Sequence, residues 1–191
     1  MRAYRRFLSG LGAMAALAML AVPALAQQNF SRGYGALPAD PEKVRSLTGT
    51  PEFRSFLPEV VDLSSYFPVP GDQGQQGSCT AWAAGYAARA YYAAAVEQRR
   101  ITSPQSIPSP AFIYGLIVAD PNDCGSGSSN PLALEVLKQF GSLSLADYPY
   151  RDDTCASPTD AEFNAVSDFR IDDYLVVDHT RLDQVKGELA D

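Results

Sequence analysis

One stretch limits what this chain can fold into more than any other: Gly71 to Tyr92, "GDQGQQGSCTAWAAGYAARAYY". A glycine-rich turn carrying three glutamines runs directly into a cysteine, and an alanine-rich segment follows. Alanine has the best helix propensity, and its short side chain lets neighbouring elements come close. The segment therefore predicts a helix from Ser78 to about Gln98. Trp82, Tyr86, Tyr91 and Val96 around it imply burial on more than one side.

Cys79 sits in the first turn of that helix. A thiol attacks as its thiolate, and a free cysteine ordinarily titrates at about 8.5. Backbone N–H groups and the macrodipole at a helix N-terminus favour the anion. Gly74 and Gly77 keep the approach open, and Gln73 lies six residues upstream, where a curled turn brings its amide beside the sulfur. A neutral amide donor at that spot suits an oxyanion formed during acyl transfer. The competing reading makes Cys79 a small buried hydrophobe.

The remaining sequence sets bounds on function. With 191 residues, 46% of them hydrophobic, the chain can build one domain with a real core or part of a larger one. Its formal charge is −7. Arg2, Arg5 and Arg6 open the chain, an apolar run follows, and Ala24-Leu25-Ala26 ends it. This is the pattern of a signal peptide, residues 1–26, cleaved after Ala26. A membrane anchor is the alternative, disfavoured by Gly10, Gly12 and Pro23. Removing the leader leaves 12 basic residues against 22 acidic ones, a formal charge of −10. Such a chain is poorly suited to nucleic acid, which is held by Lys and Arg on phosphates, and to an anionic membrane surface. No stable membrane association is expected after cleavage, and the compartment is secreted or periplasmic, where disulfides persist.

Residues 27–56, polar and rich in Gly, Pro and charge, are expected to form a flexible stub or short pro-segment. "LPEVVDLSSYFPVPGDQGQQG" should be extended. Ser109-Pro110 opens a second helix through "AFIYGLIV", with Ser as cap and Pro at the first helical position. Asn130-Pro131 repeats the device for "LALEVLKQF", and Gly141 stops it. "FRIDDYLVV" alternates like a strand, and Thr180 is expected to cap a short helix, "RLDQVKGELA".

Several chemistries find no support. Zinc needs several soft or imidazole ligands, and the chain has one histidine and no C-x-x-C. "DPNDCG", Asp120 to Gly125, departs from a calcium loop because Pro131 stands at the twelfth position. The aromatic residues form no nucleotide-stacking platform. Asp152-Asp153 and Asp172-Asp173 read as solvated turns or strand ends rather than acid/base dyads.

"DQGQQGSCTAWA" resembles the active-site segment of the papain-like (C1 family) cysteine peptidases, in a form common among bacterial members. "LPEVVDL" is similar to the start of their mature domain, and "SPAFIY", "ALEVLKQFG" and "DYPY…TC" follow in the family's order, covering about Leu57 to Asp191. The resemblance implies an α+β, two-lobed fold with the helical lobe in residues 57–165 and only the beginning of the β-rich lobe in 166–191. It makes Cys79 the nucleophile and Gln73 the side-chain oxyanion donor, partnered by the Cys79 N–H. Gly127 and Ser128 would line the substrate backbone. Thr80 stands where the family usually has Trp, Trp82 where Phe is common, and Gln76 where many members have a disulfide cysteine. With Cys79 kept free, Cys124 and Cys155 remain to form a disulfide, the alternative being three free thiols. The resemblance implies no metal and no organic cofactor.

A cysteine peptidase also needs a proton-transferring base. The single histidine, His179, lies 100 residues after Cys79. In this family the histidine and its orienting asparagine come about 130–150 residues downstream. His179 is therefore expected in a surface loop, and the chain is expected to be an N-terminal portion ending before the catalytic His and Asn. The sequence thus points to an exported peptidase acting on peptide or protein substrates through an acyl-enzyme, with this portion alone inactive. A non-catalytic papain-like secreted module that binds peptides or proteins is the alternative, and acyl transfer such as transpeptidation is a third reading.

Overall fold

A computed structural model describes residues 34–52 and 56–190. The leader 1–26 falls outside the described residues. Within them the chain is helical, and strand pairing is limited to isolated bridges.

The central helix is continuous over residues 79–95 and is called α2, after the short α1 at Pro41–Ser46. α2 begins α-helical at Cys79–Ala81, winds as a π-helix over Trp82–Arg89 and returns to α over Ala90–Ala95. The wider winding changes which positions share a face. Thr80, Ala84, Arg89 and Ala93 are buried at steps of four, five and four. A π-turn supplies the five-residue step. Ala81, Ala90 and Ala93 are fully buried, so other backbones come close, as the composition implies.

Two helices cross α2: α3 at Pro110–Ile117 and α4 at Asn130–Gln139. α3 starts as read from Ser109-Pro110, for the Ser109 hydroxyl accepts the Phe112 N–H at 3.2 Å. α4 ends as read, with Gly141 turning at φ +88°. Its cap residue is Ser129 rather than Asn130, and no side chain caps it. Ile113, Tyr114, Ala133 and Leu137, all fully buried, join Ala81 and Ala84 of α2 in one core that includes Cys155. α5, Asp160–Asn164, begins with a capping box in which Thr159 and Glu162 satisfy each other's backbone N–H.

The C-terminal stretch departs from its pattern. "FRIDDYLVV" was expected as a strand, yet only Val176 makes a bridge, parallel to Gly49. Phe169 takes φ +59°, which breaks the extended run, and the Asp173 carboxylate accepts the Tyr174 N–H and turns the chain again. Thr180 does not cap the final helix. Its hydroxyl donates to Asp178 instead, and α6 starts at Leu182, running Leu182–Ala190.

Residues 34–52 lie along the helical body at two places. Leu37 donates its N–H to Ser128 O, and Ser128 to Gly35 O, at 2.8 and 2.7 Å. Farther on, Thr50 and Val176 bond at 2.9 Å, and the buried Gln184 amide of α6 donates to Pro51 O at 3.3 Å.

Arg89 is buried at the end of the π stretch. It pairs with Glu97 at 2.6 Å and donates through Nε to Phe169 O at 3.1 Å. Arg99 forks onto Asp168 with two bonds of 2.8 Å. Together they fasten the end of α2 to the segment after α5.

Candidate active site

Cys79 is the first residue of α2, so the amides of the helix head surround its backbone. It is half-buried and free, because the other two cysteines form a disulfide. Cys124 and Cys155 lie 31 residues apart in sequence and 5.4 Å apart between Cα atoms.

The loop before Cys79 is held from three directions. The Gln73 side-chain amide donates to Gln76 O at 2.9 Å. The Tyr150 hydroxyl donates to Gln73 O at 2.9 Å. It also lies 2.7 Å from Ser78 Oγ. A phenol has one hydrogen, so Ser78 is the donor in that second contact. The Gln76 side chain is 2% exposed and donates to Thr154 O at 2.7 Å and Arg151 O at 3.3 Å. The Gly77 N–H donates to Cys124 O at 2.8 Å. The residues just before the thiol are therefore bonded to both segments that carry the disulfide.

The opposite edge is the loop 124–128. The fully buried Tyr114 hydroxyl donates to Cys124 O at 2.9 Å and accepts the Gly127 N–H at 3.1 Å. Burial pushes this phenol up, and burial likewise raises Tyr150. Both stay neutral and able to donate. Gly127 has φ +80°, and a Cβ there would lie 2.3 Å from Gly35 O. A Cβ on Gly35 would lie 1.8 Å from Gly77 O. The stretch 35–37 thus fits against Gly77 and Gly127 only because Gly35 and Gly127 lack side chains.

The sequence-derived site residues fall into two groups. Gln73 and Cys79 stand at the start and end of one loop–helix joint. Gly127 and Ser128 form a neighbouring backbone edge, and that edge is occupied by residues 35–37. His179 is exposed in the turn before α6. Sequence reasoning assigned no role to Tyr114, Tyr150 or the Gln76 side chain. The "DYPY" motif contains Tyr150, but nothing local tells which phenol reaches a loop more than 70 residues earlier.

Among solved structures, the chain is similar to xylellain, a cysteine protease from Xylella fastidiosa, at 29% identity and TM-score 0.69 over 84% of this chain. The chain has the papain-like fold of the C1 cysteine proteases. A structure from work on the mite allergens Blo t 1 and Der p 1 shares that fold at 18% identity and TM-score 0.57, over 78% of this chain. The chain spans 63% of the xylellain chain and 49% of the mite allergen chain. No family model matches the chain, and no curated protein does. In papain-like terms, α2 to α5 form the helical lobe, which agrees with the helix-rich, strand-poor content of the described residues. Among those residues no helix is long and apolar enough to cross a membrane.

Proposed function

We propose that this chain supplies the nucleophile and the oxyanion donor of an exported papain-like cysteine peptidase. The observation that carries the reading is the joint at Cys79: a free, half-exposed thiol heads the central helix, and a glutamine amide is anchored in the loop before it. The Cys79 sulfur would attack a peptide carbonyl carbon, and the carbonyl electron pair would move onto oxygen. The Gln73 amide and the Cys79 N–H would stabilise that oxyanion. Collapse would expel the amine and leave a thioester, which water hydrolyses to the acid. An imidazole must carry the proton from thiol to amine. The exposed His179 does not suit that task, so the reading assigns it to a histidine outside residues 1–191.

The Ser128 edge supports a peptide substrate. It already holds an extended chain, residues 35–37, by two backbone hydrogen bonds, the way a strand is gripped irrespective of its side chains. The same observation favours the second reading, a non-catalytic peptide-binding module, because such a grip needs no thiol. Export is supported by the leader and by the disulfide.

The test is labelling of the whole protein, together with the part that carries this histidine, by an epoxysuccinyl peptide, which a peptidase thiol opens by attack on the epoxide carbon. One equivalent should add, at Cys79, and Cys79→Ser should take up none. Inertness of Cys79 in the folded chain, together with measurable binding of the same peptide lacking the epoxide, would favour the module.

A further inference from the structure

We propose that Gln76 is a positioning residue for the oxyanion donor, tying it through hydrogen bonds to loop 151–154. This rests on the peptidase reading of Cys79 and Gln73. Gln76 is almost wholly buried, and its Nε2 bridges two carbonyls of one neighbouring loop, Thr154 O at 2.7 Å and Arg151 O at 3.3 Å. The backbone carbonyl of the same residue accepts the Gln73 amide at 2.9 Å. One residue therefore receives its position from loop 151–154 and passes it to the side chain expected to hold the oxyanion.

The side chain is a poor choice for packing alone. Its Oε1 is buried with no partner among the described residues. A buried acceptor left unpaired is destabilising, and an apolar side chain brings no such acceptor. Methionine or leucine would fill the volume without that cost. What they would lose is the pair of N–H donors on loop 151–154. The disulfide reinforces the arrangement, because Cys155 follows Thr154 and the Cys124 carbonyl accepts the next N–H along, that of Gly77. Gln76 and Gly77 thereby bond on either side of the S–S bridge, three and two residues before the thiol.

The experiment compares two reactions of Cys79 in the full chain. Acetyl-glycyl-glycinal, labelled with carbon-13 at the aldehyde, adds the sulfur to its carbonyl carbon. The π pair moves to oxygen and the thiol proton ends on that oxygen, so the hemithioacetal depends on an oxyanion donor. Iodoacetamide loses iodide to the same sulfur and develops no oxyanion. Gln73→Ala should lower aldehyde affinity about 100-fold, at the lower end of the scale for losing one oxyanion-hole donor, and Gln76→Met, which misaligns that donor, about 10-fold. Alkylation by iodoacetamide should stay within about 2-fold in both. Unchanged aldehyde affinity in Gln76→Met, with the loss present in Gln73→Ala, overturns the proposal and leaves the peptidase reading standing. A parallel fall in both reactions of Gln76→Met also overturns it, because the residue then acts on the fold. No loss in Gln73→Ala removes the oxyanion reading itself, and the proposal with it. Should Gln76→Met fail to fold, Gln76→Asn, whose amide is too short to span both carbonyls, is read by the same pair of reactions and the same outcomes.

Discussion

Two tyrosine hydroxyls, those of Tyr114 and Tyr150, hold the loops around Cys79 at the scale of single residues. Tyr150 donates to Gln73 O and receives Ser78 Oγ, and Ser78 is fully buried. Its ring also packs edge-on against Trp82, the centroids 4.9 Å apart. Tyr150→Phe keeps the ring and deletes the hydroxyl. It leaves Gln73 O and Ser78 Oγ each without that partner, so a loss of about 1–3 kcal/mol is expected. Urea unfolding followed by circular dichroism checks it, and Tyr148→Phe serves as a control, its hydroxyl making one 3.3 Å bond at an exposed site. Neither phenol was singled out by sequence, because a tyrosine's partner is fixed by where distant loops meet. Cys79 was legible because its signal is local: a helix former follows it and glycines precede it.

Between elements, the disulfide and the Arg89 cluster act as the fasteners. The Cys124–Cys155 bridge closes a loop of 31 residues. In the chain-entropy account such closure stabilises by about 3–4 kcal/mol. A Cys124→Ser and Cys155→Ser double variant should lose about that much in urea unfolding. It should also alkylate Cys79 with altered kinetics, since Gly77 bonds to the Cys124 carbonyl. Arg89 is 4% exposed, and its partner Glu97 stays half-hydrated. Arg89→Ala removes a donor to Phe169 O, which leaves a cavity against a fully packed ring; a loss of about 2–3 kcal/mol is expected by the same denaturation. Helix starts at this scale were readable where proline and serine meet, as at Ser109-Pro110. The Thr159–Glu162 capping box was equally readable, a T-x-x-E that went unused. The strand reading of "FRIDDYLVV" failed for want of a partner: alternation states which face would be buried but not that an edge exists to pair with.

Taken as a whole, the molecule is acidic and should be acid-sensitive. The Arg151 fork holds Asp153 below the usual carboxylate range, the Thr159 N–H does so for Glu162, and Lys138 does so for Asp173. Burial opposes the shift at Asp168, but the Arg99 fork and the Phe169 N–H outweigh it, and its carboxyl is also lowered. A carboxylate lowered on folding contributes in full above its unfolded value, about 4, and loses that contribution as pH falls through its folded value. Melting temperature should therefore hold steady from neutrality to about pH 5 and fall below about pH 4. Asp168→Asn should melt lower than the parent at neutral pH, with the gap closing in acid. Thermal melts across a pH series check both.

By itself, the sequence determined the place of Cys79 at the head of a helix and the helical body around it. Those depend on short-range rules: alanine propensity, serine caps, proline at first helical positions, and glycine where a helix stops. Tertiary structure alone decided the π winding of Trp82–Arg89, the course of residues 35–37 between Gly77 and Gly127, and the anchoring of Gln73 through Gln76 and Tyr150. Each of these joins groups far apart along the chain, and a hydrogen bond or a close backbone approach exists only once folding has put its partners within about 3 Å.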